Sequence, residues 1–443
     1  MTSLLALDRA HIWHPFTQEL TAPDPLLIAS ARGAVLRTAE GRELLDLISS
    51  WWVNLHGHAH PHMVAAIAAQ AAKLEQVIFA GFTHEPAVRL ATALAQRLPG
   101  ELSRVFFSDD GSTAVEVALK LAIQYQANRG QATRNRLLCF EGGYHGDTVG
   151  AMSVGASSGF FDVFRDLLFP VHALPYPATW EGDAAVEEKE RHALDALDAY
   201  LEQHGAETAA LIMEPLVQGA GGMRMCRPVF VQALAQRLRA ADILLIFDEV
   251  MTGFGRTGTL FAAERAGVTP DLICLSKGLT GGYLPMSVTV CTPDIYQAFL
   301  DEDFAKAFTH GHSFTANPLA CAAALASLEL FDQESSLARI QAMETLHRQR
   351  FAELAQHPQA QHWRVTGSIA ALDIAATDSG YGSAVGPWLK DFYRTRGLLL
   401  RPLGNVVYLL PPYCIDDAQL ETAYQGIMAS LEALPWSPSA SET

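Results

Sequence analysis

The stretch Asp271-Leu-Ile-Cys-Leu-Ser-Lys277-Gly-Leu-Thr-Gly-Gly282 places a single lysine between a strand-like run and a glycine-rich turn. Residues 271–275 are mostly apolar, so the lysine stands where a buried strand ends. Burial disfavours the charged form of a lysine and lowers its pKa toward a free, nucleophilic amine. A lysine that forms a Schiff base needs that property. A solvated lysine that opens a loop is the alternative, and the strands upstream decide between the two.

A second strand ends in a carboxylate. The run Ile243-Leu-Leu-Ile-Phe247 has the continuous apolar character of a strand that is buried on both faces. Asp248 and Glu249 follow it directly. Asp248 has three alternative roles: a helix cap, a metal-binding carboxylate or part of a Walker-B motif. The sequence contains no GxxxxGK[ST] stretch to support a Walker-B motif.

A third strand-like run leads into a turn that is suited to an anion. Arg104-Val-Phe-Phe107 predicts a strand, and Ala114 to Asn128 predicts a helix, with Gly111 and Ser112 in the turn between them. Free backbone N–H groups, two hydroxyls and the positive end of the helix dipole then point the same way. The turn therefore predicts a phosphate site, although an ordinary helix N-cap has the same pattern.

The same arrangement recurs at other strand ends. A strand over 136–140 precedes Glu141-Gly-Gly-Tyr144-His145-Gly146, where glycines let the backbone and the tyrosine ring approach a ligand closely. A strand over 209–213 ends at Glu214, and a helix is predicted over 228–240. Strands that alternate with helices and end in polar turns predict an α/β fold whose functional groups collect along the carboxyl edge of an open sheet.

The chain is expected to form two domains. We assign 56–328 to a large domain, and 1–55 together with 329–443 to a smaller domain that both termini build. An alanine-rich helical pattern runs from Pro61 to Arg97, a long polar helix is predicted over 333–357, and residues 397–401 and 406–410 resemble a hairpin.

Four histidines at positions 56, 58, 60 and 62 alternate as they would on one face of a strand, which raises the question of a metal. Gly57 and Pro61 break a regular strand, and no carboxylate or cysteine stands close by in the sequence. The stretch is therefore predicted to be a polar turn, with no metal site.

Composition narrows the class of protein. Of 443 residues, 49% are hydrophobic and 18% charged, which is typical of a compact enzyme. The net charge of −17 argues against nucleic acid and anionic membranes as partners. The six cysteines are scattered without a CxxC, no apolar run is long enough to span a membrane, and the first residues lack a signal-peptide pattern. A cytoplasmic location is the simplest expectation.

Together, the turn at Gly111 and Ser112, the ring of Tyr144, Asp248 and Lys277 are the parts needed to hold pyridoxal 5′-phosphate. The turn would take the phosphate and Tyr144 would cover the ring. Asp248 would keep the pyridine nitrogen protonated, and Lys277 would form the Schiff base and carry a proton.

Several separated motifs resemble the class III pyridoxal-phosphate aminotransferases over nearly the whole chain. They are Phe247-Asp-Glu-Val-Met-Thr-Gly-Phe-Gly-Arg-Thr-Gly258, Leu275-Ser-Lys277-Gly-Leu, Ile12-Trp-His-Pro-Phe16-Thr, Ser49-Ser-Trp51-Trp52, His56-Gly-His-Ala-His-Pro61, the run from Glu214 to Met225, and Leu400-Arg401-Pro. The resemblance implies the fold type I of these transferases: a large domain with a mostly parallel central sheet flanked by helices, plus a smaller α+β domain.

The resemblance also implies residue roles. Lys277, Asp248 and Tyr144 would be catalytic, and Gly111, Ser112, His312 and Ser313 would join them in binding the cofactor. Phe16, Trp51, Trp52, Tyr144, Lys277, Gly311 and Arg401 would bind substrate, with Arg401 on the acceptor's carboxylate. The loop at Gly311, His312 and Ser313 would reach the site of a neighbouring subunit, which makes a homodimer a requirement for activity.

The implied reaction moves an amine from S-adenosylmethionine to 8-amino-7-oxononanoate, giving 7,8-diaminononanoate in biotin synthesis. The two half-reactions would be linked through the pyridoxamine form of the cofactor. Lysine as donor, an ω-aminotransferase that uses a diamine or ornithine, and a cofactor-binding protein without turnover remain alternatives. Two departures from the family pattern bear on substrate preference: Phe16 replaces a tyrosine, and His312-Ser313 replaces Pro-Thr.

Overall fold

The computed structural model describes residues 3–155, 161–376, 380 and 382–435. Its strands are β1 Ile28–Arg32, β2 Val35–Thr38, β3 Glu43–Asp46, β4 Arg104–Ser108, β5 Arg136–Phe140, β6 His172–Leu174, β7 Thr208–Met213, β8 Val217–Gln218, β9 Arg224–Met225, β10 Leu244–Asp248, β11 Leu272–Leu275, β12 Ser287–Cys291, β13 Ala360–Thr366, β14 Ile369–Ile374, β15 Leu398–Leu399 and β16 Val406–Leu409. Its helices are α1 Leu4–His11, α2 Ser49–Trp52, α3 Pro61–Ala71, α4 Glu85–Arg97, α5 Gly111–Asn128, α6 Val149–Val154, α7 Val186–His204, α8 Pro228–Ala240, α9 Ala262–Ala266, α10 Pro293–Gln297, α11 Pro318–Gln333, α12 Ser336–Leu354, α13 Val385–Thr395 and α14 Asp417–Glu432.

A seven-stranded sheet in the order β4-β12-β11-β10-β7-β5-β6 forms the centre. Its strands are parallel except β12, which pairs antiparallel with both β11 and β4. Every residue of β7, β10, β11 and β12 is buried, and along β10 and β11 successive apolar residues alternate between two apolar clusters. The predicted mostly parallel α/β sheet is confirmed.

The carboxyl edge of this sheet collects polar groups, as predicted. Strand β10 ends at Asp248, and β11 ends two residues before Lys277. These strands are hydrogen-bonded neighbours, with Asp248 opposite Cys274. Since parallel neighbours end at the same edge, the strand order brings the carboxylate and the lysine to one place.

Smaller sheets combine the two ends of the chain. One has the order β1-β2-β3-β15, and another has the order β13-β14-β16. Strand β15 pairs parallel with β3, so the C-terminal part completes a sheet that the first fifty residues begin. This pairing supports the division at 55/56 and 328/329, which we retain as a proposal.

One local prediction is wrong, and two helical predictions are confirmed with different bounds. The segments 397–401 and 406–410 do not pair as a hairpin, because β15 pairs with β3 and β16 pairs with β14. Pro402, which lacks an N–H for a ladder, stands between them. The pattern from Pro61 to Arg97 is two helices, since α4 restarts at Glu85 with Pro86 in its first turn and the His84 side chain as its cap. The long helix predicted over 333–357 is confirmed as α12, which is shorter at both ends and covers Ser336–Leu354.

The four alternate histidines lie in a turn and the start of α3, as predicted. Each has its own partner: His56 contacts Ser327, His58 contacts Asp46, His60 contacts Glu334 and His62 contacts Glu329. The described residues contain no group of three or more metal-ligating side chains placed to hold an ion. Within these same residues, every helix is too short or too polar to cross a bilayer.

Candidate functional site

A cavity of about 490 Å³ opens at the carboxyl edge of the central sheet. It is lined by Trp52, Val53, Asp110, Gly111, Ser112, Tyr144, His145, Gly146, Glu214, Asp248, Val250, Met251, Ser276, Lys277, Gly282, Tyr283, Leu284, Pro285 and Met286. Six of the residues chosen from the sequence line this cavity: Trp52, Gly111, Ser112, Tyr144, Asp248 and Lys277.

Lys277 begins a short 3-10 helix, Lys277–Thr280, with a positive φ of 41°. A lysine at positive φ is strained, and such strain is concentrated at functional sites. Its ammonium nitrogen lies 5.2 Å from the centre of the Trp52 ring. Desolvation lowers the pKa of Lys277, while the carboxylate of Asp248 opposes that shift. The side chain thus has the environment of a nucleophilic amine.

Asp248 belongs to a buried cluster with His145 and Glu214. His145 Nδ1 lies 2.7 Å from Asp248 Oδ2. Burial by itself lowers the pKa of His145, but the hydrogen bond and the charge of Asp248 outweigh it and raise that pKa. Burial raises the pKa of Glu214 to about 7, and Asp248 adds to the increase. The cluster can therefore hold a proton near neutral pH beside an aspartate.

The predicted phosphate turn has the expected cap. Helix α5 begins at Gly111, where Asp110 accepts from the Thr113 N–H and the Thr113 hydroxyl accepts from the Asp110 N–H. A Cβ on Gly111 would lie 2.7 Å from Val250. A Cβ on Gly146, which has φ 124°, would lie 1.9 Å from the Ser112 Oγ. The two glycines keep the wall of the cavity close to the helix N-terminus, where an anion binds best.

Tyr144 lines the cavity, and hydrogen bonds fix both its backbone and its side-chain hydroxyl. Its N–H donates to Glu214 at 3.1 Å, and its hydroxyl donates to Asp147 Oδ1 at 3.0 Å. Burial and the Asp147 carboxylate raise the pKa of Tyr144. The phenol is thus neutral at physiological pH, and the ring stacks on Phe161 with centroids 6.2 Å apart.

The other predicted substrate residues form a separate cluster. Phe16 packs edge-on against Trp51 with ring centroids 5.8 Å apart, and the Arg401 guanidinium lies 4.5 Å from the Trp51 ring centre. None of the three lines the cavity, but Trp51 adjoins Trp52, which does. Arg401 is half-buried beside the Trp51 ring.

The predicted loop also stands apart from the cavity of its own chain. His312 Nδ1 lies 3.2 Å from Asp109 Oδ2, and His312 Nε2 lies 2.9 Å from His310 Nε2. The Ser313 carbonyl accepts from Gln76. A Cβ on Gly311 would meet nothing within 4 Å. The loop therefore runs beside the phosphate turn with an open outer face.

Sequence reasoning did not assign roles to His145 and Glu214. The signals were present, because His145 follows Tyr144 in the glycine loop and Glu214 follows β7 as Asp248 ends β10. What the sequence did not reveal is that both side chains converge on Asp248.

The cavity has the features that pyridoxal phosphate requires. Four groups face this one cavity. They are a helix N-terminus whose glycines leave room for an anion, a desolvated lysine, a buried aspartate and an aromatic ring. These groups match the phosphate, aldehyde, pyridine nitrogen and ring of that cofactor.

Comparisons with known proteins agree with this reading. A family model described as aminotransferase class-III matches residues 18–431. A Synechococcus elongatus protein named adenosylmethionine-8-amino-7-oxononanoate aminotransferase is 57% identical over 424 residues, which cover 96% of this chain and 99% of that protein. The crystal structure of a protein of the same name from Methanocaldococcus jannaschii is similar with a TM-score of 0.91 and 34% identity, covering 98% and 99% of the two chains. An omega transaminase from Pseudomonas jessenii in complex with PMP has a TM-score of 0.92 and 25% identity, covering 97% and 98%.

Proposed function

We propose that this chain, which belongs to the class III aminotransferases, transfers an amino group from S-adenosylmethionine to 8-amino-7-oxononanoate, a step of biotin synthesis. As a member of that family it is an aminotransferase that depends on pyridoxal phosphate. The observation that carries the substrate assignment is the 57% identity over 96% of the chain to a relative named for that reaction.

The residues of the cavity have distinct proposed tasks. Gly111 and Ser112, at the start of α5, hold the phosphate, and Tyr144 covers the ring. Asp248, fixed by His145, keeps the pyridine nitrogen protonated. Pyridoxal phosphate, when bound, supplies a ring that accepts the electrons released as the substrate loses a proton. The amine of Lys277 binds the cofactor and, once released, takes and returns that proton.

The cluster of Phe16, Trp51 and Arg401 suits the rest of the acceptor. The two aromatic side chains provide apolar surface for an alkyl chain, and Trp52 continues that surface into the cavity. Arg401 then offers a planar fork to the terminal carboxylate.

A homodimer would complete the site. Several large apolar side chains are exposed near the loop or near the N-terminus, namely Trp13, Phe16, Ile78, Phe82 and Phe314. Helix α1 has no buried residue at all. Large aromatic and aliphatic side chains that are exposed in a single chain are typical of a surface that a partner covers. In that arrangement Gly311, His312 and Ser313 face the phosphate of the neighbouring subunit. A cytoplasmic location fits such a biosynthetic enzyme.

The test follows the two half-reactions. S-adenosylmethionine alone is expected to bleach the visible band of the lysine-bound cofactor and to produce the pyridoxamine form. Addition of 8-amino-7-oxononanoate should restore the band and yield 7,8-diaminononanoate, identified by mass spectrometry. Bleaching by lysine instead would change the donor. Turnover of a diamine or ornithine without turnover of 8-amino-7-oxononanoate would identify an ω-aminotransferase and reject the proposal.

A further inference from the structure

The turn that carries Trp51 has an unusual backbone and needs external support. Ser49, Ser50 and Trp52 have φ values of 52°, 61° and 66°, in the left-handed region that residues with a side chain rarely occupy. Trp51, between Ser50 and Trp52, has φ −139° and ψ 60°, which is neither helical nor extended. A run of this kind persists only where the surrounding structure determines it.

The carboxylate of Asp46 provides that support on the Trp51 side. It is fully buried, and it accepts from the Ser50 N–H at 2.7 and 2.9 Å and from the Ile48 N–H at 3.2 Å. The Ser50 hydroxyl adds a contact at 3.3 Å. Since Ser50 directly precedes Trp51, the carboxylate fixes the direction in which the indole leaves the backbone.

His58 holds the carboxylate in turn. Its Nε2 lies 3.0 Å from Asp46 Oδ2, and the His58 side chain is 17% exposed. The His58 backbone is anchored separately, by two hydrogen bonds with Gly33. A buried carboxylate that must serve several donors needs such a fixed partner, because loss of one contact allows it to rotate.

The sheet places Arg401 beside the same turn. Strands β3 and β15 are parallel, with Asp46 opposite Leu399. Trp51 follows β3 and Arg401 follows β15, so both emerge from the same edge of this sheet. The guanidinium of Arg401 then lies against the face of the Trp51 ring at 4.5 Å. A cation over an aromatic face is stabilised by the ring, so the indole orients the guanidinium.

We propose that Asp46 and His58 are positioning residues for carboxylate recognition, acting through the Ser50 backbone and the Trp51 ring on Arg401. Neither touches the substrate. Substitution of either residue is expected to weaken the binding of acceptors that carry a terminal carboxylate and to leave the binding of other acceptors unchanged. This inference rests on the proposed function, since it assigns Arg401 the acceptor's carboxylate.

The test compares two acceptors that differ only in that group: 8-amino-7-oxononanoate and 2-aminooctan-3-one, which is the same amino ketone without the carboxyl group. The variants are His58→Leu, which removes the donor, and His58→Gln, which restores an N–H donor. Asp46→Asn is an independent disruption of the same pair. His62→Leu is the matched control, because His62 pairs with Glu329 in the same turn region but does not contact the Trp51 turn.

We expect His58→Leu and Asp46→Asn to lower the ratio of kcat/KM for the acid over the ketone about tenfold, equivalent to one hydrogen bond, through KM for the acid. His58→Gln should recover most of the ratio, and His62→Leu should match the parent protein. An equal loss for both acceptors, or an unchanged ratio in His58→Leu, would overturn the proposal, because a purely structural role moves both substrates together.

A binding measurement separates this inference from the proposed function. Octanoate binding to the protein loaded with pyridoxal phosphate, followed by tryptophan fluorescence, requires no turnover. Its Kd should rise about tenfold in His58→Leu and return in His58→Gln. Octanoate binding that weakens in His58→Leu, in a parent protein that does not aminate 8-amino-7-oxononanoate, would reject the proposed function alone. Parent protein that aminates it, with octanoate binding insensitive to His58, would reject the positioning role alone.

Discussion

Nδ1 of His145 lies 2.7 Å from Oδ2 of Asp248, and the two side chains are 1% and 4% exposed. Burial lowers the pKa of His145, but the hydrogen bond to Asp248 and the charge of its carboxylate outweigh burial and raise that pKa. The carboxylate that is proposed to meet the pyridine nitrogen is thus fixed in orientation by a neighbour in the glycine loop.

Replacement of either partner should slow proton abstraction. We expect Asp248→Asn to lower the single-turnover rate with S-adenosylmethionine about a thousandfold, because a neutral amide no longer stabilises the protonated ring nitrogen. His145→Phe should lower it about tenfold, since Asp248 remains but loses its partner. His347→Phe is the control, being another buried histidine, remote from the cavity and bonded to Tyr424. A normal rate in His145→Phe would contradict the role assigned to the pair.

Glu214 should make stability depend on pH. Its pKa is raised from 4.5 to about 7, so the native state holds a proton that the unfolded chain releases between those values. The contribution of Glu214 to the unfolding free energy is therefore largest below pH 4.5 and falls as pH rises toward 7. We expect the Tm of the parent protein to fall between pH 5 and pH 8 by more than the Tm of Glu214→Gln. Calorimetry at both pH values measures the difference. Parallel shifts would mean that Glu214 is ionised throughout.

Phe16→Tyr should improve substrate binding. Phe16 is 53% exposed and packs against Trp51, so a hydroxyl can be added without a clash. One new hydrogen bond corresponds to a decrease in KM of about three- to tenfold for the substrate that reaches it. Steady-state kinetics with each substrate varied in turn will show which one responds. Phe304→Tyr, at a side chain that is 77% exposed, controls for a general effect of the hydroxyl. An unchanged KM for both substrates would show that Phe16 does not contact either.

The strand ends that build the cavity were predictable, because a run of apolar residues buried on both faces is followed by a conspicuous polar residue, as at Asp248 and Lys277. The pairing of β15, just before Arg401, was not predictable, because β15 is two residues long and its partner β3 lies about 350 positions earlier. A pairing between strands so far apart in the chain produces no local sequence pattern. The same limit applies to Asp46 and His58, whose contact depends on the irregular backbone at Ser49 and Ser50.

Arg401→Lys should retain the positive charge and weaken the recognition of the acceptor's carboxylate. A lysine cannot present two parallel N–H groups to a carboxylate, and it stacks less well on Trp51. We expect kcat/KM for 8-amino-7-oxononanoate to fall between about tenfold and a hundredfold, with little change for 2-aminooctan-3-one. Arg396→Lys is the matched control, because Arg396 also lies over an aromatic ring, that of Phe392. Equal losses with both acceptors would place Arg401 outside the carboxylate site.

Activity should depend on a loop from the neighbouring subunit. Two inactive variants test this: Lys277→Ala, which lacks the amine, and the double variant His312→Glu with Ser313→Ala, which puts a carboxylate where the phosphate of the neighbour is proposed to lie. A mixed dimer contains one site with an intact lysine from one subunit and an intact loop from the other. Its second site carries both defects.

Coexpression should therefore recover activity that neither variant has alone. Random pairing makes half of the dimers mixed, each with one complete site, so recovery should approach about one quarter of the parent activity. Two affinity tags, one on each variant, isolate the mixed dimer, which should then reach about one half. If the mixed dimer forms but stays inactive, the loop acts within its own chain, where His312 already contacts Asp109 beside the phosphate turn. If no dimer forms, the exposed apolar side chains of Phe82 and Phe314 have another partner.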